Sequence, residues 1–421
     1  MKGLKLSLIF LTATLLTIGL SGMAFAFHSG GVAECEGCHS MHAPKTGGYA
    51  LLIGTDVSST CLSCHMNEGD TGPSSYHVST VDAKLGDKMA PLQRNPGGDF
   101  GWLKKSYIYG TGVDQNEMGE THGHNIIASD FKFVVDSRFA KSPGGDYPSS
   151  QLSCASCHDP HGKGRQLPDG TFAFTGGAIV GSGSYSTSTP PKNLKAGEAI
   201  GLYRLLRTPL YSNLGFDAYP IAVAPSSYNR TEAVTQTRVA YGASGKNTWG
   251  NWCATCHADM HSGKGNYVHP VDKSLGDVAT NYNNYVKSGD LSGASAKAYL
   301  SLVPFAESTG DFTTLASHAK SDDSYLNGPA TSDTVMCLSC HRAHASGFKN
   351  GLRFDQGYEF MVKNGLYIGY DNPAVGTTGR GPTQSRMKTM AEWQAAYYDR
   401  PATPTFATYQ RVLCNKCHAK D

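Results

Sequence analysis

Six stretches of the 421-residue chain have the form Cys-x-x-Cys-His: Cys35/Cys38/His39, Cys61/Cys64/His65, Cys154/Cys157/His158, Cys253/Cys256/His257, Cys337/Cys340/His341 and Cys414/Cys417/His418. Together they use all 12 cysteines. Six disulfides, or zinc sites built on CxxC, would account for paired thiols, but neither gives a reason for a histidine directly after the second cysteine every time. Covalent c-type haem does. Two thiols add across the two vinyl groups of one porphyrin edge, and the adjacent histidine is then held beneath the iron as its proximal ligand. The spacing predicts six haem c groups attached by these twelve cysteines, with His39, His65, His158, His257, His341 and His418 as proximal iron ligands.

The remaining histidines among the 16 are His28, His42, His77, His122, His124, His161, His261, His269, His318 and His344. They are enough to close every iron with a second imidazole, so bis-His haems are the economical expectation. No iron is forced to keep an open position for a substrate. We therefore read the chain as an electron carrier, not an enzyme, and assign no catalytic residue. His42, His161 and His344 each follow a proximal histidine by three positions, and His261 follows His257 by four. Residues so spaced share one side of a helical turn, so the second ring cannot reach the far face of its own haem and can ligate a neighbouring one. That spacing implies haems packed face to face. His28, His77, His124, His269 and His318 complete the distal candidates, of which six are expected to ligate; the pairing is left open. His122, two residues from His124, is set aside.

The elements that must position these groups are short. Hydrophobic residues make up 39% of the chain, with 49 Gly and 20 Pro, which excludes a regular α/β domain or helical bundle around one large aliphatic core. With 36 Lys+Arg against 34 Asp+Glu, an electrostatically driven nucleic-acid partner is excluded too. The expected fold class is a multihaem cytochrome c: mostly coil with few short helices and little sheet, organised around six covalently bound, stacked haems. Helix is expected over 292–302, over 384–398 and as single turns at each CxxCH. The Gly/Ser/Thr-rich run from Gly176 to Pro191 reads as surface loop. The 22 Tyr, 16 Phe and 4 Trp are expected to pack haem edges. Lys2 and Lys5, the apolar run Leu6 to Leu20 and the small residues of Ala24-Phe25-Ala26 read as a secretion signal over 1–26, cleaved before Phe27. Residues 27–421 then form a single hexahaem domain. Haem motifs lie near both ends of that domain, and His42, whose own haem already has His39, is the natural residue to hand over to another subunit. Asn229-Arg230-Thr231 matches a glycosylation acceptor, a weak pattern.

Extended blocks around the motifs resemble one family: FHSGGVAECEGCHSMH at 27–42, GDTGPSSYHVST at 69–80, PGGDFGW at 96–102, GHNI at 123–126, CASCHDPHGK at 154–163, APSSYNRTEAVTQTRVAYG at 224–242, CLSCHRAHASGF at 337–348 and YQRVLCNKCHAKD at 409–421. They are similar to the hexahaem, outer-surface cytochromes of the OmcS type, which polymerise into conductive filaments in metal-reducing bacteria. The resemblance runs the length of the mature chain. It implies a coil-rich fold around a continuous chain of bis-His haem pairs, and a helical filament of identical subunits closed by a histidine donated between them. By motif position that role falls on His42, ligating the His341 haem of the adjacent subunit. It also implies a secreted protein of the outer cell surface, with outer-membrane or periplasmic cytochromes as electron donors and metal oxides, electrodes or partner cells as acceptors. A monomeric periplasmic or surface shuttle is the alternative that shares this chemistry. A multihaem small-molecule reductase is a further one, and it needs a five-coordinate haem.

Overall fold

The computed structural model describes residues 35–42, 44–45, 51–67, 76–108, 116–161, 165–166, 172–173, 178–181, 198–201, 206–207, 219–225, 227–261, 269–372 and 386–418. The expected secretion signal, the cleavage point expected before Phe27 and His28 lie outside the described residues.

The elements are few and short. Val57–His65, at nine residues, is the longest described helix. Asp56 caps it by accepting from the Ser59 amide at 2.7 Å, while its second carboxylate oxygen accepts from the Ser129 amide at 2.7 Å. One side chain thus starts the helix that carries the second motif and ties it to a remote segment. Thr248 caps Trp249–Ala254 in the same way, and Ser153 with Ser156 forms a capping box on Cys154–Cys157. The described sheets are small. Ala240–Gly242 runs between antiparallel Ile221–Val223 and parallel Ala306–Glu307. Phe360–Lys363 lies between Leu366–Tyr367 and Gln410–Arg411. Among the described residues no helix is long and apolar enough to cross a membrane.

Three expectations change. Residues 292–302 form only a turn, Ser295–Lys297, because their backbone is used elsewhere: the Tyr299 amide donates to Leu326 O, and Gly328 donates to Ser295 O. The later helix is confined to Met390–Ala396 by the Thr389/Glu392 capping box and by positive φ at Met387, Tyr398 and Asp399. Within the presumed loop, Ala178–Gly181 is a strand beside Glu198–Gly201; residues 182–191 lie outside the described residues.

Many aromatics pack one another as well. Phe348 meets Trp393 and Tyr397 with ring centroids 5.6 and 4.9 Å apart, and Tyr397 stacks on Tyr367 at 4.7 Å. All four are buried in one cluster with Phe100, Trp102 and Tyr107. Large flat side chains give a Gly/Pro-rich chain a core despite its scarcity of aliphatic residues.

Candidate haem centres

Each motif is a turn that sets cysteine and histidine side by side. The histidine amide donates to the carbonyl of the first cysteine, four residues back, in His39→Cys35, His158→Cys154, His257→Cys253, His341→Cys337 and His418→Cys414, at 2.8–3.1 Å; His65 ends the helix that carries its motif. The first, third and fifth motifs share a further arrangement. A returning segment bridges the proximal histidine through a leucine: His39 with Leu52, His158 with Leu206, His341 with Leu352. The next amide then donates to the second cysteine: Ile53→Cys38 O, Arg207→Cys157 O, Arg353→Cys340 O. These three motifs are also the ones that read CxxCHxxH. Unequal spacing along the chain hides this repetition.

The motifs follow one another in space in chain order. None of the twelve cysteines is in a disulfide. Cys38 lies within electrostatic reach of Cys64, Cys157 of Cys256, and Cys340 of Cys414 and Cys417. Cys61 and Cys154 are close enough to share a hydrogen bond, as are Cys253 and Cys337. The six thiol pairs therefore form an unbroken row.

Imidazoles face one another along that row. Ring centroids are 6.4 Å apart in His39–His161, 6.1 Å in His124–His257, 6.3 Å in His158–His344 and 6.4 Å in His269–His418. Two opposed imidazoles sharing one metal, each bonded at about 2 Å, put their centroids about 6 Å apart. The donor set and its spacing therefore fit a haem iron held from both faces, and every pair contains one proximal histidine. Among the described residues no group of three or more His, Cys, Asp or Glu converges as a compact metal centre. His124 and His341 keep exposed ring surface although protein groups crowd around them.

The backbone fixes the tautomer. The Nδ1 atoms of His65, His257, His341, His124 and His344 meet the carbonyls of Tyr76, Pro143, Asn350, Ala343 and Gly98 at 2.8, 2.7, 2.9, 2.7 and 3.2 Å. A carbonyl only accepts, so Nδ1 carries the proton and Nε2 presents its lone pair, as a metal ligand must. Burial, and then the facing His257, push His124 down to about 4. Burial and His158 push His344 down to about 3. Both rings are thereby kept neutral.

Other candidates are placed differently. His42 is exposed at the surface beside exposed Met41. His77 is buried against Tyr76, its Nδ1 3.4 Å from the Asn67 amide nitrogen. His261 Nε2 lies 3.1 Å from Asp272, and His318 Nδ1 lies 2.6 Å from Glu307 with its ring stacked on Tyr325. His122, set aside on sequence, is fully buried with both nitrogens engaged, Nδ1 on Trp102 O and Nε2 on Glu117. Asn229 is also fully buried, its side chain accepting from the Arg94 amide and donating to Gln93, so that no room is left for a glycan.

Sequence reasoning missed the buried arginines. Arg94, Arg342 and Arg353 line one small cavity with Tyr398, and the Arg342 Nε there has no partner. Burial pushes Arg342 down to about 10. An arginine directly after His341 was the signal available.

No protein-family profile matches the chain. It is 49% identical over 446 aligned positions to C-type cytochrome OmcS of Geobacter sulfurreducens, with all of both chains covered. Two solved structures, the cryo-EM structure of the OmcS nanowires and the outer membrane cytochrome S filament, both from that organism, superpose with a TM-score of 0.80 at 47% identity. Each covers 94% of this chain and 100% of its own.

Proposed function

This chain belongs to the family of C-type cytochrome OmcS, and from that premise we propose that it is an extracellular electron conduit: a hexahaem, bis-His cytochrome whose subunits join end to end in a filament. Haem, when bound, supplies an iron that takes up and releases one electron. The chain's own part is to hold two neutral imidazoles on each iron, oriented through backbone carbonyls, so that neither ring need move with the charge of the site.

The observation that carries this reading is the offset among the CxxCHxxH motifs. His161 of the third motif faces His39 of the first, and His344 of the fifth faces His158 of the third. Each trailing histidine thus serves the previous motif of its kind. Continued by one step, the rule assigns His42 to the motif before the first, which is the fifth motif of another copy, with His341. An offset that leaves one donor and one acceptor at opposite ends makes a heterologous, open-ended contact, the kind that builds filaments. We further assign His124 to the His257 haem and His269 to the His418 haem. The His65 haem is left to His28, His77 or His318, because Asp272 takes the Nε2 of His261. Arg342 and Arg353, in a cavity shared with Glu232, would supply positive charge for a haem carboxylate.

Relatives described as nanowires and as a filament support the assembly. Secretion to the outer surface, cytochrome donors, and metal oxides, electrodes or partner cells as acceptors complete the proposal. Cryo-electron microscopy of protein sheared from the outside of its native cells tests it. Filaments with His42 of one subunit on the His341 haem of the next are expected. Single particles with all six irons closed within one chain would make it a shuttle.

A further inference from the structure

We propose that His122, together with Glu117, is a positioning residue for two imidazoles on neighbouring haems, His124 and His344; this rests on the reading of those two rings as axial ligands.

His122 cannot itself ligate. Its ring is fully buried, with Nδ1 2.7 Å from Trp102 O and Nε2 2.8 Å from Glu117 Oε1. A buried ring satisfied at both nitrogens is fixed in orientation, because turning it would leave polar groups unpaired. The same Glu117 oxygen binds Lys388, whose Nζ lies over the rings of Tyr107 and Trp393 at 4.6 and 5.0 Å. Glu117 itself sits in the short strand Asn116–Glu117, paired with Tyr107–Ile108. The knot is thereby built into the aromatic core.

From this anchor the backbone runs straight into the haem ligands. His122 O accepts from the Ser346 amide at 3.0 Å, Gly123 bridges Ala345, and the His124 amide donates to His344 O at 2.9 Å. Residues 122–124 thus lie antiparallel to 344–346. The approach is so close that a Cβ on Gly123 would stand 2.2 Å from His344 O. Across this ladder the His124 ring bonds to Ala343 O, while the far edge is held by the His344 amide on Gly97 O at 2.7 Å. Two rings that face different proximal histidines, His257 and His158, hang from one three-residue pairing. The His122 ring joins that pairing to the core. Loosening it should disturb the third and fourth haem sites together and leave the other four alone.

The test compares full-length, haem-loaded His122→Ala, His122→Gln, Glu117→Gln, His124→Ala and His344→Ala. Two quantities are read: the fraction of ferrous haem that binds carbon monoxide, and the electron paramagnetic resonance spectrum, which reports the relative orientation of paired imidazoles. His124→Ala and His344→Ala should each open one haem of six. His122→Ala should open or reorient about two of six at unchanged haem content, with His122→Gln, which keeps one hydrogen bond, between it and wild type. Unchanged spectra and no carbon monoxide binding in His122→Ala, even with lowered thermal stability, would reduce His122 to a packing residue and overturn the proposal. Should His122→Ala not accumulate, Glu117→Gln decides: a shifted spectrum supports the positioning role and an unshifted one overturns it. If His124→Ala and His344→Ala leave all six haems closed, it is the ligand reading that falls.

Discussion

His158 and His344 face each other with ring centroids 6.3 Å apart, although one belongs to the third motif and the other trails the fifth. His39 and His161 repeat the relationship one step earlier, at 6.4 Å and with nearly parallel rings. Within such a CxxCHxxH motif the first histidine thus faces one ring, and the second faces the proximal histidine two motifs before it. The two sites are braced by one short stretch of backbone, which places them at a fixed separation without long helices or a large sheet.

His161→Ala removes one member of the most nearly parallel pair and should convert one haem of six from low-spin to high-spin. The thiols of all six motifs are untouched, so the haem content stays the same. Carbon monoxide binding to about one-sixth of the reduced haem is the expected reading; none would show that His161 does not close the His39 site.

Gly98→Ala attacks the same architecture through the backbone. Gly98 has φ +92°, and an added Cβ would lie 1.8 Å from Ala345 O. Alanine there costs on the order of 1–3 kcal/mol in backbone strain before the clash is counted. Because Gly98 O also accepts from His344 Nδ1, the displacement should reach the His158 haem. Thermal unfolding should come earlier, and one low-spin signal should shift; a loss of stability with all signals unchanged would separate Gly98 from that ligand.

Much of the site was legible because its logic is local. The cysteines and proximal histidines sit within one turn, and the three-residue step to His161 and His344 decides which way those rings point. His261 follows its motif by four residues, and there Asp272, brought in from another segment, lies 3.1 Å from its Nε2. Glu307 holds His318 by the other nitrogen, Nδ1. His124 could be named as a candidate but not paired, since its position depends on Gly123 meeting Ala345, two residues remote in sequence. The fold shows the same division. Coil-rich structure follows from composition, whereas the loss of a helix over 292–302 depends on Tyr299 and Ser295 bonding to the 326–328 segment.

Acid should loosen one tether near the first two motifs. The Asp130 carboxylate accepts from the Thr55 hydroxyl and amide and from Lys45. The Thr55 hydroxyl, the Thr55 amide and Lys45 together lower it to about 2, from 3.8. A carboxyl depressed in the folded state adds stability above its unfolded value and loses it as pH falls. The contribution is therefore complete above about pH 4 and disappears toward pH 2. Hydrogen exchange around Thr55, corrected for the intrinsic pH dependence, should be faster in Asp130→Asn than in wild type at neutral pH and converge with it near pH 2. A difference that persists unchanged at pH 2 would count against ionisation of Asp130 as its source.

The last prediction concerns the exposed histidine. His42 holds the same motif position as His161 and His344 and, like His161, stands at the surface, while His341 keeps exposed ring surface with Nδ1 already committed to Asn350 O. A donor in the first motif and an acceptor in the fifth predict that His42→Ala abolishes polymerisation while leaving haem attachment and the five remaining iron closures intact. The released subunits should contain one haem able to bind carbon monoxide, the one on His341. Adding His341→Ala to this variant should change assembly no further, because both substitutions break the same contact. Electron microscopy together with haem quantitation checks both statements, and filaments of wild-type length from His42→Ala would remove the inter-subunit ligand from the account.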